Sequence, residues 1–316
     1  MGTRLTIQTP ADYVLSRDVC SYGYFVLAPN YWDVAAQRLH RALALDEGGA
    51  SCVIEQTGDK GSALRVRFDR ALSRPEQAKA RSQISRMLRL DEDHQSLKAF
   101  HRIDPRWRRS GRGRLFRSPT LFEDVIKTVT SCNVAWPSTV NMNKRLCQSL
   151  GEKCEGSHAF PTAKKMSRTR PGTLRGRCRV GYRDVRMVEL AKLFVRGDID
   201  ESWLCDPLTG DDDVFTFLVT LPGIGPYSAG NIMQLLGRYS RLALDTESVR
   251  HGKTILAMSG TDAQIMKKVG AHFDKFGEHK FRSYWFELWR FYEKKAGPSH
   301  TWEREETATA FTASNF

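Results

Sequence analysis

The first 75 residues carry short apolar runs of the length typical of β-strands. Residues 24–28 form a continuous apolar run that Pro29 closes, and residues 52–56 form another. Residues 63–68 alternate between apolar and polar side chains, the period-two pattern of a half-buried strand. A glycine-containing turn at residues 58–61 separates the last two runs, so we predict that they form a β-hairpin.

From Pro75 onward, apolar positions recur every three or four residues, the period of an amphipathic helix. Residues 82–90 place their apolar side chains on one helical face. Another helix is predicted after Thr120, because Thr120 and Glu123 have the spacing of a capping box. Further helices are predicted at residues 187–195, 214–220, 227–236, 263–276 and 283–295. The pattern therefore predicts an α+β fold, with a small β-rich domain at residues 1–100 and a mainly helical region at residues 101–316.

The net charge of the chain indicates the kind of partner that it binds. The chain has 49 Lys and Arg against 36 Asp and Glu, a formal net charge of +13. Such an excess attracts polyanions, so we expect a nucleic acid partner. Basic runs at residues 106–117 and 164–186 are candidate phosphate contacts. A charge run is more often a solvated face, so the individual contacts stay open.

Seven cysteines are present, but none forms a C-x-x-C pair. The sequence therefore predicts neither a zinc site nor an Fe–S cluster, and we expect reduced thiols. The N-terminus lacks the apolar segment of a signal peptide, and no run has the length of a transmembrane helix. We therefore expect an intracellular protein without a membrane partner.

The most specific local motif is a turn between two predicted helices. Two glycines in this turn allow close backbone approach, and the free N–H groups of the second helix suit a phosphate. An ordinary turn between two helices with a single glycine would be weaker evidence for a phosphate-binding site than this set of residues. The motif comprises Leu221, Pro222, Gly223, Ile224 and Gly225, followed by Pro226, Tyr227 and Ala229.

A second motif follows one helix downstream, where Asp245 ends the apolar run 242–244. Taken alone, this Asp is most simply a helix N-cap. Together, the turn and Asp245 resemble the helix-hairpin-helix (HhH-GPD) DNA glycosylases, in order and spacing most like the 8-oxoguanine and alkyladenine branch. In that family an Asp at this position stabilises the cationic sugar of the reaction, and it is often also a helix cap.

The resemblance implies roles for further residues. Asn133 lies where that branch places a groove-filling Asn, and the segment Gly181-Tyr182-Arg183 resembles one that wedges an aromatic ring into the base stack. Taken alone, Asn133 would be a helix C-cap and Tyr182 a core aromatic. Trp136, Tyr227 and Glu247 are candidates for the base pocket, with core packing or surface exposure as alternatives.

The resemblance also implies the architecture and the reaction. It predicts a helical HhH-GPD body of two subdomains with a DNA cleft between them, and an enzyme that flips a modified base out of duplex DNA and hydrolyses its N-glycosidic bond. We expect it to act as a monomer with Asp245 ionised at neutral pH, which requires no raised pKa. The sequence does not identify the base, which could be alkylated, oxidised, deaminated or a bulky modified pyrimidine.

The chain departs from the bifunctional members at one position. These carry a nucleophilic Lys two residues after the second glycine of the hairpin, where this chain has Tyr227. We therefore predict a monofunctional glycosylase. A bifunctional glycosylase with lyase activity and a non-catalytic DNA-binding protein with the same hairpin are the alternatives.

The resemblance implies no required cofactor. It does suggest a monovalent cation, K⁺ or Na⁺, at the hairpin. The ligands would be the backbone carbonyls of Val219, Leu221 and Ile224.

Overall fold

A computed structural model describes residues 2–58 and 61–303 of the 316-residue chain. The described chain forms two compact units, each assembled from separated segments. Unit 1 contains residues 2–58, 61–92, 114–199 and 298–303, and unit 2 contains residues 93–113 and 200–297. The predicted boundary near residue 100 divides the chain only once, whereas each unit gathers segments from both sides of it.

Unit 1 contains a five-stranded antiparallel sheet with the strand order β1-β5-β4-β3-β2. Its strands are β1 (Arg4–Gln8), β2 (Tyr31–Asp33), β3 (Arg38–Leu45), β4 (Gly48–Thr57) and β5 (Ala63–Phe68). The predicted hairpin is present, since β4 pairs with β5 from Cys52 opposite Phe68 to Thr57 opposite Ala63. Of the predicted turn, Asp59 and Lys60 lie outside the described residues.

The alternation of β5 is reproduced in its burial. Leu64 and Val66 are fully buried, whereas Arg65 between them is exposed. The prediction of a strand at residues 24–28 is wrong. Gly23–Val26 is a short 3-10 helix instead, and all of its residues are buried. The run therefore fills the core without pairing as a strand in the sheet.

Unit 1 also contains helices, of which the first lies between β1 and β2 and the others follow the sheet. They are α1 (Leu15–Val19), α2 (Arg74–Met87), α4 (Leu121–Ser131), α5 (Trp136–Leu150), α6 (Ala163–Ser167), α7 (Pro171–Thr173) and α8 (Asp184–Arg196), and a small hairpin of β6 (Lys153–Cys154) and β7 (Ser157–His158) follows α5. The predicted cap is present at α4, where the Thr120 hydroxyl accepts the Glu123 N–H at 3.3 Å. The Glu123 side chain does not complete a capping box. It binds the buried Arg41 and Lys127 instead.

The last described residues return to the N-terminal part of the chain. The indole N–H of Trp32 in β2 donates to the carbonyl of His300 at 2.9 Å. Residues 298–303 therefore complete unit 1 although 98 residues of unit 2 precede them directly.

The described residues of unit 2 form helices and the turns that connect them, and no strand. Its helices are α3 (His94–Ile103), α9 (Glu201–Cys205), α10 (Asp211–Thr220), α11 (Pro226–Leu236), α12 (Thr246–Thr254), α13 (Asp262–Asp274) and α14 (Lys280–Ala296). The aromatic side chains of α14 form much of its core, with Phe281, Phe286 and Trp289 almost fully buried. The predicted α+β class is confirmed. Among the residues described, no helix has the length and apolarity needed to cross a bilayer.

Candidate active site

The glycine-rich turn of unit 2 joins α10 to α11. Helix α10 ends at Thr220 and α11 begins at Pro226, which fits the first turn of a helix because it has no N–H to satisfy. The turn closes with a hydrogen bond from the Ile224 N–H to the Leu221 carbonyl at 3.1 Å. Ala229 is fully buried on α11. The two predicted helices and the turn between them are thus present, with α10 beginning at Asp211 rather than at residue 214 and α11 at Pro226 rather than at residue 227.

The two glycines of this turn have different physical roles. Gly223 has φ +77°, a left-handed conformation that disfavours side chains with a Cβ atom. Gly225 has φ −99°, which any residue adopts, and a Cβ atom there would have no neighbour within 4 Å. Gly223 is therefore needed by the turn itself, whereas the open space at Gly225 is free for a ligand.

Asp245 is the N-cap of α12. Its Oδ1 accepts the N–H groups of Glu247 at 3.0 Å and of Ser248 at 3.2 Å, and its own N–H donates to the Ser248 hydroxyl at 3.1 Å. This reciprocal pair is a capping box, which satisfies donors at the helix N-terminus. The carboxylate is partly exposed. The cap that the sequence suggested is present, and it leaves the second carboxylate oxygen, Oδ2, outside these bonds.

The surroundings of Asp245 weaken its acidity. Burial raises the pKa of Asp245 to about 6, with a further contribution from the negative charge of Glu247. The two backbone N–H groups and a hydrogen bond from the Tyr227 side chain oppose this rise in pKa. The carboxylate is thus mostly ionised at pH 7, as expected, although its pKa lies above the ordinary value.

Glu247 lies beside Asp245 in the first turn of α12. Its Oε2 accepts hydrogen bonds from the Arg250 guanidinium at 3.0 and 2.7 Å and from the Tyr292 hydroxyl. Arg250 in turn lies over the rings of Phe291 and Tyr292. Glu247 is therefore held rigidly near the carboxylate, and Tyr227 joins the same group from α11.

Unit 1 brings together two residues that are 49 positions apart. The Asn133 amide donates to the Tyr182 hydroxyl at 3.4 Å, and both side chains are exposed, Tyr182 at 52%. Asn133 follows the end of α4 with φ +51°, a left-handed conformation that Asn tolerates better than most residues. Arg183 and Arg186 lie over the Tyr182 ring at 4.5 and 5.4 Å. The two residues form a protruding polar and aromatic tip.

Arg183 differs from its expected place as an exposed wedge residue. It is 5% exposed, and its guanidinium donates to the carbonyls of Val129 at 3.1 Å and of Cys132. These carbonyls belong to the last turn of α4, where helical partners are missing. Arg183 therefore fixes the turn that carries Asn133. Trp136, the first residue of α5, is partly exposed and packs on Gly23, where a Cβ atom would lie 3.1 Å from the indole.

Comparisons with known proteins agree on the architecture. The chain superposes with a TM-score of 0.68 on MBOgg1, solved in complex with a low affinity DNA ligand, at 17% identity over 93% of this chain and 97% of that one. The TM-score is 0.67 for an 8-oxoguanine glycosylase/lyase from Clostridium acetobutylicum, at 15% identity over 90% and 96% of the two chains. The chain has the fold of the HhH-GPD DNA glycosylases. A 3-methyladenine DNA-glycosylase from Archaeoglobus fulgidus shares this glycosylase fold with a TM-score of 0.61, at 16% identity over 92% and 99%.

No family model and no curated protein sequence matches the chain. The glycosylase fold is thus detected through the structure, whereas the identities of 15–17% are too low to carry a substrate from one protein to another.

The basic run at residues 106–117 is partly used within the protein. Several of its cations bind carboxylates, and its phosphate contacts stay a prediction. The pairs are Arg106 with Asp104 and Glu287, Arg112 with Glu293, Arg114 with Asp12, and Arg117 with Asp91. Its exposed cations include Arg108 and Arg109.

Two contacts of Asp245 escaped the sequence reasoning. The Tyr227 hydrogen bond depends on the placement of two helices, which no local pattern records. Ser248 could have been found, because a Ser three residues after an N-cap Asp has the spacing of a capping box.

Proposed function

We propose that this protein is a DNA glycosylase that hydrolyses the N-glycosidic bond of a modified base in duplex DNA. The observation that carries the proposal is Asp245, a partly exposed residue with an ionised carboxylate at the start of α12, one helix downstream of a hairpin with open space at Gly225. A protein that only bound DNA would need the helix cap but not its charge, since Asn caps a helix equally well and a carboxylate repels phosphates.

The reaction needs the base outside the stack, because the glycosidic bond is buried in a duplex. The tip of Asn133 and Tyr182 is suited to fill the vacated space, since an exposed aromatic ring can stack on a base. The hairpin N–H groups at the start of α11 are suited to bind a phosphate.

Asp245 acts as the bond breaks. The departing base takes the bonding electrons, so the sugar acquires oxocarbenium character. A fixed carboxylate stabilises that positive charge without reorganising, and it can accept the proton of the water that attacks the anomeric carbon. The products are the free base and an abasic sugar in an intact strand.

We further propose that the enzyme is monofunctional. A lyase needs an amine that forms a Schiff base with the sugar. The residue on α11 that hydrogen-bonds to Asp245 is Tyr227, and a phenol cannot form an imine. Borohydride trapping during turnover is expected to give no covalent adduct, with strand breaks appearing only after alkali. An adduct together with alkali-independent breaks would assign the lyase alternative.

A monovalent cation at the hairpin is part of the proposal. Helix α10 ends at Thr220, so carbonyls of its last turn lack helical partners and are suited as ligands. The carbonyls of Val219, Leu221 and Ile224 would hold the cation, which would add positive charge beside the DNA backbone. The partner is duplex DNA bearing one modified base, bound by a monomer.

The test is a panel of duplexes, each with one alkylated, oxidised, deaminated or bulky modified base. Parent protein is expected to release at least one of these bases. Asp245→Asn is expected to release it roughly 10²–10³-fold more slowly, because the lost charge stabilises the transition state. Its affinity for the same duplex should persist. Equal single-turnover rates for parent and variant would contradict the catalytic role of Asp245, and a protein inert on every duplex would support a DNA-binding role only.

A further inference from the structure

The hydrogen bonds of Asp245 are unevenly divided between its two carboxylate oxygens. Oδ1 accepts the N–H of Glu247, the N–H of Ser248 and, at 3.4 Å, the hydroxyl of Ser248. None of these three donors reaches Oδ2. The donors of helix α12 therefore all bind one oxygen, Oδ1, and leave Oδ2 to groups outside this helix, among which are the Tyr227 side chain and the proposed substrate.

The Ser248 hydroxyl contacts both Asp245 and Tyr284. It accepts the Asp245 N–H at 3.1 Å and lies 2.9 Å from the hydroxyl of Tyr284 on α14. A serine has one hydroxyl proton. The 2.9 Å distance between the two hydroxyls fits either donor direction. With the Ser248 proton directed at Asp245 Oδ1, 3.4 Å away, the Tyr284 hydroxyl is the donor to Ser248.

With the Ser248 proton on that side, the hydrogen bonds run from the core to the carboxylate: Tyr284 O–H to Ser248, and Ser248 O–H to Asp245. Both donors are buried, Ser248 completely and Tyr284 at 3% exposure. The Tyr284 ring is fixed edge-on by His251 at 5.2 Å and Phe273 at 5.4 Å. Consecutive hydrogen bonds polarise one another, so the first donor strengthens the second.

We infer that Tyr284 is a positioning residue, which acts through Ser248 to fix Asp245 by Oδ1 and to present Oδ2 to the substrate. The inference rests on the proposed glycosylase function. Tyr284 touches neither the sugar nor the base in this account, and its effect is transmitted by one serine hydroxyl.

Other groups also act on Asp245 and are independent of the hydrogen bonds through Ser248. The negative charge of Glu247, which pairs with Arg250, lies on α12 itself, and the Tyr227 side chain hydrogen-bonds to Asp245 from α11. Burial raises the pKa of Tyr284, so this hydroxyl keeps its proton throughout the range in which Asp245 titrates.

The test uses the full chain and the duplex that the panel identifies. Tyr284→Phe keeps the ring and removes the donor, and it is expected to slow single-turnover base release by about fivefold to tenfold, the effect of one hydrogen bond. Since the weakened Ser248 bond stabilises the carboxylate less, the acid limb of the pH–rate profile should move to higher pH. Tyr239→Phe is the matched control, a buried tyrosine of the same unit whose ring lies under the Arg282 guanidinium.

A double-mutant cycle distinguishes transmission from packing. In a Ser248→Ala background, Tyr284→Phe is expected to have almost no further effect on the rate, because the residue that connects it to Asp245 is gone. Equal losses in both backgrounds would overturn the inference, as would a parental rate and pH profile for Ser248→Ala. In either case a slow Asp245→Asn variant would leave the proposed function standing.

Discussion

Asp245 combines a structural and a chemical requirement in one side chain. Oδ1 caps the N-terminus of α12, and the carboxylate is partly buried beside Glu247. A carboxylate whose pKa lies at about 6 is less stable in its charged form than an exposed one. The folded protein therefore maintains a charge that the chemistry uses and that folding alone would not favour.

The first prediction concerns stability. Asn caps helices as well as Asp does, and it carries no charge. Asp245→Asn is therefore expected to melt at the same temperature as the parent or higher at pH 7.5, as measured by thermal unfolding.

The pH dependence of that difference follows from the sign of the shift. A folded-state pKa raised above the ordinary value of 3.8 means that the charged form costs stability above about pH 6. As the pH falls through 6 towards 4, the carboxylate takes up its proton and the cost disappears. The melting temperatures of parent and variant should therefore converge, and a gap that widens on acidification would contradict the raised pKa.

A second prediction concerns Glu247. Its negative charge raises the pKa of Asp245, so Glu247→Gln should lower that pKa. The acid limb of single-turnover base release, expected near pH 6 in the parent, should then move to lower pH. The opposite direction is expected for Tyr284→Phe, so the pair tests the electrostatics from two sides. An unchanged limb in Glu247→Gln would show that another group controls it.

At the scale of elements, the two glycines of the hairpin have different roles: the turn requires Gly223, whereas Gly225 leaves space for the proposed ligand. Gly223→Ala forces a side chain into φ +77° and should cost stability, roughly 1 kcal/mol. Gly225→Ala places its methyl group in open space and should leave the melting temperature unchanged. If the DNA backbone approaches there, Gly225→Ala should nevertheless bind duplex more weakly. Fluorescence anisotropy together with thermal melting measures both properties, and full affinity in folded Gly225→Ala would place the backbone elsewhere.

Some elements were predictable because their burial follows their polarity. Strand β5 and helices α8, α10, α11, α13 and α14 each place apolar side chains where the core is, so periodicity located them. The hairpin and the Asp245 cap were predictable because both depend on local backbone chemistry.

Other elements were hidden because polar residues occupy their buried faces. Helix α5 buries Thr139 and Asn143, which bond to Thr130 at the end of α4. Strand β3 buries Arg41, which pairs with Glu123. These partners lie on other elements, so the apolar period is broken and the pattern within the element itself gives no sign of the compensating bond.

For the whole molecule, the positive charge is unevenly distributed along the chain. Residues 197–237, which include the hairpin, contain no Lys or Arg and seven acidic residues. Residues 164–192 contain ten Lys and Arg against two acidic residues. All of these ten except Arg183 are exposed. A phosphate at the proposed hairpin site would therefore be bound by N–H groups, and most of the electrostatic attraction to DNA should come from residues 164–192.

This distribution predicts the salt dependence of DNA binding. The logarithm of affinity for undamaged duplex should fall linearly with the logarithm of salt concentration. Arg177→Ala or Arg179→Ala should each reduce the slope by about 1 if the residue contacts a phosphate. Arg38→Ala removes the same charge from β3, where Arg38 pairs with Glu55 at 2.9 Å, and should leave the slope unchanged. Equal changes for all three variants would indicate net charge rather than local contact.

The return of residues 298–303 to unit 1 has a consequence for synthesis on the ribosome. The Trp32 indole cannot form its hydrogen bond until the His300 carbonyl, 268 positions later, has been synthesised. The N-terminal sheet therefore emerges long before the segment that completes its unit. Domains usually fold as units during translation, the N-terminal one first. Here unit 2 can finish first, and unit 1 becomes complete only when residues 298–303 have also left the exit tunnel.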